Sequence, residues 1–223
     1  YEIIRSICDQ YDLLMVSDEV ITGIGRTGKN FGIDHWDVVP DMITTAKALS
    51  GGYAPLAALI VSEKVWRPIW EGPKSFYSTY TFAGHPFSCA IGNAVLDYID
   101  QHDLINRSAQ MGANLLDKFQ RLLELPYVGE VRGKGMLLGI ELVMDKENRK
   151  PFPAEKGFGD KVTNRALELG VFIVPGVQGT VDGEIGDHLQ ITPPFILEES
   201  HAQHLTDVLY QSIREIGDQL QNS

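Results

Sequence analysis

The stretch that most constrains the fold lies between residues 13 and 28, where a short apolar run is followed by an acidic pair and three glycines. Residues 13–17 predict a strand that is buried on both faces of a parallel sheet. Asp18 follows this strand, and open α/β sheets bind ligands at the carboxyl ends of their strands. The stretch therefore predicts an α/β fold with Asp18 at the ligand-binding edge. An aspartate that only caps a loop is the simpler alternative.

The three glycines, Gly23, Gly25 and Gly28, spell the G-x-G-x-x-G pattern of a dinucleotide-binding turn. That turn requires a helix directly after it, because the pyrophosphate lies at the helix N-terminus. Residues 29–40 show no helical period and are interrupted by Gly32 and Pro40. The pattern therefore indicates an irregular loop beside a ligand or a neighbouring chain, and not a dinucleotide site.

Apolar patterns divide the chain into an α/β core that ends near residue 100 and a smaller α+β lobe, which we place at residues 1–103 and 104–223. Further strands are predicted at residues 41–45, 56–61, 128–132, 136–143, 171–174 and 189–192, with a turn at Gly133 and Gly135. Helices are predicted at residues 2–11, 103–125, 154–169 and 200–216, and two more after the cap Ser62 and from Pro86.

The composition excludes several classes of partner. A formal net charge of −11 argues against nucleic acid or an anionic membrane. Two cysteines form neither a disulfide framework nor a metal-binding spacing, so we expect a cytoplasmic protein without a metal site. The apolar runs are far shorter than the roughly 20 residues of a membrane helix, and we expect no signal peptide. Because the chain opens within a helical pattern and without Met, we expect a piece of a longer protein.

Lys47 follows the predicted strand at residues 41–45, so it emerges at the same sheet edge as Asp18. Ala46, Ala48 and Leu49 flank it, which predicts an apolar pocket where a neutral amine can attack a carbonyl. An ordinary solvated lysine is the alternative. An aspartate and a lysine at one edge match pyridoxal 5'-phosphate, because the lysine forms a Schiff base with its aldehyde and the carboxylate keeps its ring nitrogen protonated.

Two spaced blocks resemble the cofactor-attachment signature of the class III aminotransferases. They are D-E-V-I-T-G-I-G-R-T-G at residues 18–28, and Asp41 followed by K-A-L-S-G-G at residues 47–52. Residues 79–86, 131–136 and 191–194 are similar to further segments of that family. The resemblance implies a fold type I pyridoxal-phosphate enzyme. This chain would supply part of its large, mainly parallel-sheet domain and its C-terminal α+β small domain.

The resemblance also implies roles for individual residues. Lys47 would hold the cofactor as a Schiff base and shuttle the proton during transamination, and Asp18 would pair with the pyridinium nitrogen. Val20 would pack on the ring. Thr81, together with the backbone of Tyr80, would reach the phosphate of the partner subunit's cofactor. The family pattern therefore implies a homodimer with a shared active site.

One departure from the family pattern concerns the substrate. Many members place an arginine just before the Pro193-Pro194 pair, where it binds a substrate carboxylate through two hydrogen bonds. Here that position carries Gln190, and no arginine occurs between Arg165 and Arg214. The sequence therefore favours an amine or an ω-amino acid as donor, with a keto acid such as pyruvate as acceptor.

The family's phosphate-binding loop and ring-stacking aromatic belong to an N-terminal half that this sequence lacks. We therefore expect the chain alone to bind pyridoxal phosphate weakly or not at all. Two alternatives to the transaminase stay open. One is an aminomutase, epimerase or decarboxylase that uses the same Asp18 and Lys47. The other is a non-catalytic α/β fragment that serves only in assembly.

Overall fold

The computed structural model describes residues 1–72, 80–177 and 186–221, and it divides the chain into two compact units, Tyr1–Arg107 and Ser108–Ser223. The interpretation of these units as a cofactor domain and a small domain stays a prediction. Thr79, which opens one of the family-like segments, lies outside the described residues. Among the described helices, none combines the length and the apolar character needed to cross a membrane.

The first unit is built on a three-stranded sheet in the order β1-β2-β3. β1 (Val16–Asp18) and β2 (Met42–Thr45) are parallel, and β3 (Ala58–Val61) runs antiparallel to β2. The helices of this unit are α1 (Glu2–Gln10), α2 (Glu63–Glu71) and α3 (Pro86–Gln101). Short 3-10 helices cover Gly32–Trp36 and Lys47–Ser50.

The starts of α2 and α3 lie where the sequence placed them. Pro86 occupies the first turn of α3, where its missing N–H costs nothing. Ser62 occupies the N-cap of α2 but makes no side-chain capping hydrogen bond there. The position of this cap is therefore confirmed, whereas its usual contribution to helix stability is not realised.

The first strand is shorter and more exposed than predicted. It begins at Val16 rather than at residue 13, and of its three residues only Ser17 is buried. Leu13 and Leu14 precede it and are each 50% exposed. The prediction of burial on both faces was wrong for this chain, because the described part of the unit covers β1 on one face only. An apolar run thus predicts a strand that is suited to burial without showing what covers it.

A small core holds the amino ends of the first two strands together. It contains Cys8, Met15, Ile33 and Val38. Beside it, the buried carboxylate of Asp41 accepts hydrogen bonds from the Met15 amide (2.8 Å) and the Arg5 guanidinium (2.9 Å). The Met15 amide and then Arg5 hold the pKa of Asp41 below its ordinary value. Asp41 is therefore a structural carboxylate at the edge opposite to Asp18.

The second unit contains an antiparallel sheet in the order β4-β5-β7-β6. The strands are β4 (Val128–Lys134), β5 (Leu137–Leu142), β6 (Val174–Pro175) and β7 (Asp187–Ile191). The helices are α4 (Leu104–Phe119), which begins just before this unit, α5 (Phe158–Glu168) and α6 (Glu199–Gln221). Alternate residues of β5 and β7 are buried in a large apolar core that these helices share. The second unit therefore has the larger apolar core of the two, although the sequence predicted it to be the smaller lobe.

Two predicted helices of the second unit are interrupted. The first ends at Phe119 and gives way to a 3-10 helix, Gln120–Glu124, because Leu122 and Leu125 keep the apolar pattern while Pro126 prevents a longer helix. The second begins only at residue 158, since Gly157 adopts a left-handed conformation (φ 55°) after a 3-10 helix, Ala154–Lys156.

Two strand predictions of the second unit were also inaccurate. The strand predicted at residues 171–174 forms only at Val174–Pro175, where it pairs with β7. The turn between β4 and β5 contains Gly135 but not Gly133, which lies within β4. A Cβ at residue 133 would lie 2.5 Å from the Leu137 carbonyl oxygen. That glycine therefore reflects close packing of two strands rather than the turn.

Candidate functional site

The first pair of predicted site residues meets at one edge of the first sheet. Asp18 is the last residue of β1 and lies opposite Thr44 of β2. Lys47 opens the 3-10 helix that follows β2 after a single residue. Because β1 and β2 are parallel neighbours, both residues emerge at the carboxyl edge, as predicted.

The carboxylate of Asp18 is held by two donors. Its Oδ1 accepts the Val20 amide hydrogen (3.0 Å) and the Thr44 hydroxyl hydrogen (3.4 Å). Thr44 belongs to the neighbouring strand, so the sheet itself restrains the rotamer of Asp18. The side chain is nonetheless exposed, and it can therefore take a further partner at this edge.

Lys47 is exposed as well, so the prediction of an apolar pocket was wrong for this chain. The backbone around it is tightly constrained: Lys47 has φ 41°, which non-glycine residues adopt rarely. The residues after it, Leu49 and Ser50, are buried, and α3 packs closely on this segment through Gly92. Apolar sequence neighbours therefore anchor the turn that carries Lys47 and do not cover its amine.

The glycine-containing loop after Asp18 carries no dinucleotide turn. Gly25 (φ 89°), Gly28 (φ 83°) and also Ile24 (φ 55°) have positive φ, and turns in this fully described stretch lead to a 3-10 helix, not an α-helix. The prediction of an irregular loop with no α-helix directly after the glycines is confirmed. Arg26 lies in this loop, and partial burial lowers its pKa.

The residue that sequence reasoning missed is Glu19, whose side chain is almost fully buried (2% exposed). Its Oε2 accepts the Gly32 amide hydrogen (2.8 Å) and the Thr22 hydroxyl hydrogen, and its Oε1 accepts the Ile33 amide hydrogen (2.8 Å). The Ser17 hydroxyl also donates to Oε1 (3.2 Å). The sequence contained one signal for this role: Glu19 is an acidic residue that lies close to the hydroxyl residues Ser17 and Thr22.

The remaining predicted site residues lie in the same unit. Val20 is partly buried in the turn after Glu19. Tyr80 and Thr81 are exposed in a turn that precedes α3, where the Ala83 amide donates to the Tyr80 carbonyl (2.9 Å). The contacts of the described residues do not join Tyr80 or Thr81 to Asp18 or Lys47. Their roles toward a cofactor phosphate stay predictions.

A further carboxylate, Asp187, has a structural role in the second unit, at the start of α5. It is buried and accepts the Gly159 amide hydrogen (3.1 Å), and burial raises its pKa despite that bond. A cavity of about 200 Å³ in the same unit is lined by Asp187 together with Arg132, Glu141 and His188. Gln190, the residue at the family's arginine position, pairs with Gly139 within the sheet and is partly exposed.

Comparison with known proteins identifies the family. The family model described as Aminotransferase class-III matches residues 1–213. The chain belongs to the class III aminotransferases. A relative in Bacillus subtilis (strain 168), the uncharacterised aminotransferase YodT, is 36% identical over 97% of this chain and 49% of that protein. Members of this family depend on pyridoxal phosphate and adopt the mixed α/β architecture of fold type I, as predicted.

Solved structures of class III aminotransferases superpose closely. A transaminase from the marine bacterium Virgibacillus has a TM-score of 0.90 at 34% identity and covers 97% of this chain and 48% of that chain. The ω-transaminase of Pseudomonas jessenii in complex with PMP has a TM-score of 0.90 at 29% identity and covers 99% and 48%. The chain thus spans about half the length of the proteins it matches.

The residues at the carboxyl edge fit the cofactor of a class III aminotransferase. Asp18 offers an exposed carboxylate that the sheet holds in one orientation, and Lys47 offers an exposed amine on a constrained turn. A carboxylate for a ring nitrogen and a primary amine for an aldehyde are the two groups that pyridoxal phosphate requires. Both belong to this chain, whereas the groups that hold the phosphate are not assembled in the described contacts.

Proposed function

We propose that the chain is the C-terminal half of a dimeric aminotransferase that transfers an amino group from an amine or ω-amino acid to a keto acid such as pyruvate. The observation that carries the proposal is the emergence of Asp18 and Lys47 from adjacent parallel strands at one sheet edge. Membership of the class III family supports the reaction type.

Each residue then has a definite task. Bound pyridoxal phosphate supplies an electron sink that acidifies the substrate carbon next to the amino group. Asp18 would keep the ring nitrogen protonated, which preserves that capacity. Lys47 would hold the cofactor covalently through Nζ, and once released its Nζ would take the proton from the substrate carbon and return it to the cofactor carbon that carried the aldehyde. Val20 would pack against the ring.

The substrate preference follows from the residues near Pro193. A guanidinium would bind an α-carboxylate through charge-assisted hydrogen bonds, each contributing about 1.5–3 kcal/mol. Gln190 is neutral, and it sits in the sheet with no arginine between Arg165 and Arg214 in the sequence. Donors without an α-carboxylate, namely amines and ω-amino acids, are therefore the ones we expect this site to accept.

The remaining cofactor contacts would come from a second copy of this chain and from the half of the enzyme that this chain does not cover. We propose that Tyr80 and Thr81 contact the phosphate of the partner subunit's cofactor in a homodimer, and that the absent half holds the phosphate and the ring. Consequently, the 223-residue chain alone should bind pyridoxal phosphate weakly. Saturation at low micromolar cofactor, measured by absorbance titration, would contradict this expectation.

Reductive trapping tests the assignment of Lys47. The chain is incubated with a high concentration of pyridoxal phosphate, reduced with borohydride and mapped by mass spectrometry. Label is expected to be enriched at Lys47 over Lys29, an exposed lysine of the neighbouring loop that serves as an internal control. The Asp18→Asn variant should lose this enrichment. Equal labelling of Lys47 and Lys29 in the unmodified chain refutes the proposed attachment site.

A half-reaction separates the transaminase from the alternatives. In the assembled enzyme, an amine donor without an acceptor should convert the cofactor to its amine form and release one equivalent of carbonyl product. A decarboxylase or epimerase leaves the cofactor in its aldehyde form, whereas an aminomutase passes through the amine form but releases an isomeric amine and no carbonyl product. Release of carbon dioxide or inversion of the donor, without carbonyl product, therefore excludes the proposed reaction.

A further inference from the structure

The buried carboxylate of Glu19 has no part in the proposed chemistry, yet it joins three segments of the first unit. Four neutral donors point at it, two at each oxygen. The Ser17 hydroxyl comes from β1, the Thr22 hydroxyl from the loop, and the amides of Gly32 and Ile33 from the following 3-10 helix. Each added donor compensates part of the cost of burying a charge, so the site is built to keep a carboxylate.

The backbone beside Glu19 connects this cluster to the orientation of Asp18. The peptide unit between Glu19 and Val20 is planar, so its carbonyl oxygen and its N–H point in opposite directions. The oxygen accepts the Gly23 amide hydrogen (3.0 Å), and the N–H donates to Asp18 Oδ1 (3.0 Å). Any rotation of this peptide that follows a movement of the loop therefore breaks the hydrogen bond to Asp18.

Two glycines allow the loop to approach Glu19 so closely. A Cβ at residue 23 would lie 2.7 Å from the Glu19 carbonyl oxygen. A Cβ at residue 32 would lie 2.9 Å from Thr22 Cβ and 3.1 Å from Glu19 Oε2. The first glycine of the triplet thus serves the Glu19 cluster by its small size, while the other two serve the loop by their positive φ.

We propose that Glu19 is a positioning residue. Its carboxylate holds the loop and the 3-10 helix against β1, and thereby fixes the Glu19–Val20 peptide that orients the Asp18 carboxylate toward the cofactor's ring nitrogen. The orientation of Asp18 toward a ring nitrogen rests on the proposed function. The coupling between Glu19, the loop and Asp18 does not depend on that function, and it can be measured without any cofactor.

The Glu19→Gln variant tests this coupling because of the way the donors are arranged. Each carboxylate oxygen accepts one backbone amide, and an amide N–H cannot reverse its direction as a hydroxyl can. Whichever way the glutamine side chain turns, its NH₂ group faces either Gly32 or Ile33, and one buried N–H loses its acceptor. The variant keeps the size of the side chain, so it disturbs packing little.

Amide hydrogen exchange of the 223-residue chain, followed by NMR, gives the readout. In Glu19→Gln, exchange at Gly32 or Ile33 should accelerate about tenfold, near the lower end of what an unpaired buried amide costs. Exchange at Val20 should accelerate as well, because its hydrogen bond to Asp18 depends on the loop. Accelerated exchange at Gly32 or Ile33 with unchanged exchange at Val20 shows that Glu19 is merely structural and overturns the proposal.

A matched control is Asp34→Asn on the same 3-10 helix. Asp34 accepts one amide, that of Phe31 (2.9 Å), and an asparagine can turn its carbonyl oxygen to the same donor. Exchange at Val20, Gly32 and Ile33 should therefore stay within about twofold of the unmodified chain, as expected for a conserved hydrogen bond. A change at Val20 as large as in Glu19→Gln overturns the specific role of Glu19.

A milder variant and a trapping measurement complete the test. Thr22→Val removes one donor and keeps the carboxylate, so it should accelerate exchange at Val20 less than Glu19→Gln does. If Glu19→Gln fails to fold, an unchanged rate of amide exchange at Val20 in Thr22→Val overturns the proposal.

Glu19→Gln should also reduce borohydride trapping at Lys47, and unchanged trapping overturns the link to the cofactor. If the unmodified chain is labelled at Lys47 no more than at Lys29, the proposed attachment site fails, while the exchange data still decide the coupling.

Discussion

At the scale of single residues, hydrogen bonding gives two aspartates of one sheet different roles. Asp41, at the amino edge, is buried and bound by Met15 and Arg5. Asp18, at the carboxyl edge, is restrained by Val20 and Thr44 but remains exposed. The first carboxylate therefore stabilises the fold, and the second is available to a ligand.

Asp41→Asn should change how the stability of the first unit depends on pH. Since the folded-state pKa of Asp41 is lowered, its contribution is present above the unfolded value of about 3.9 and disappears as pH falls through the folded value. The unmodified chain should thus lose stability in acid more steeply than Asp41→Asn. Urea unfolding at several pH values, followed by fluorescence of the tryptophans, checks this, because all three (Trp36, Trp66 and Trp70) lie in the first unit.

Asp9→Asn is the matched control for that experiment. Asp9 also pairs with Arg5 (2.7 Å), but its side chain is 65% exposed. Exposed ion pairs contribute little to stability because solvent screens them. The pH profile of Asp9→Asn should therefore follow that of the unmodified chain. Equal effects of the two substitutions would mean that the pair with Arg5, and not the buried Met15 hydrogen bond, determines the acid sensitivity.

The sequence predicted that Asp18 and Lys47 lie at the same edge of the sheet, because parallel strands bring their carboxyl ends to one edge whatever the rest of the fold is. It did not predict Glu19, since that role depends on the amides of Gly32 and Ile33, which lie 13 and 14 residues away. It mispredicted the burial of Lys47 because apolar sequence neighbours do not determine which layers cover a side chain.

At the scale of elements, the apolar period predicted which segments are helices but not where they end. The pattern continues through Leu122 because the 3-10 helix after α4 buries that residue in the same core. The sequence also did not predict where two elements pack closely against each other. The Tyr127 ring is buried against α6 at Gly217, and its hydroxyl donates to Asp218 (2.6 Å). Burial and then Asp218 raise the pKa of Tyr127 to about 12.

Gly217→Ala should destabilise the second unit although alanine favours helices. A Cβ at residue 217 would lie 2.2 Å from Tyr127 Cδ2, inside van der Waals contact with a buried ring. Overpacking of this kind costs about 1–3 kcal/mol, which exceeds the gain of about 1 kcal/mol in helix propensity. Urea unfolding monitored by far-UV circular dichroism should show a lower midpoint.

Gly139→Ala provides a control of opposite sign in the same unit. The nearest atom to a Cβ at that position is Arg132 Cγ at 4.0 Å, so the new methyl group has room within β5. Replacing a strand glycine by alanine should be neutral or raise stability by up to about 1 kcal/mol. A loss of stability equal to that of Gly217→Ala would show that the contact with Tyr127 is not the cause.

At the scale of the whole molecule, the two units differ in how completely they bury their apolar residues. Of the 27 exposed large apolar side chains that the structure describes, 22 lie in the first unit. They include Ile3, Ile4 and Ile7 on α1 and Leu59 and Ile60 on β3. The second unit has an extensive core of its own. We infer that the second unit folds by itself, and that the folded first unit is the less stable of the two in this chain.

Amide exchange should reveal this difference directly. Amides of the central strands β5 and β7 should be protected by the full unfolding free energy of their unit. Amides of β1 and β2 should exchange at least about tenfold faster, because fewer apolar contacts oppose local opening there. Mass spectrometry of the exchanged chain after peptic digestion measures both. Equal protection of the two sheets would contradict the inference.

The two cysteines provide a natural reporter of that opening. Cys8 is buried beside Met15 and Ile33, whereas Cys89 on α3 is exposed. A thiol reagent should therefore modify Cys89 at once. It should modify Cys8 only at the rate at which α1 separates from the sheet. The rate of the slow phase of alkylation then measures how often the first unit opens around Cys8, with no dye attached and no residue replaced.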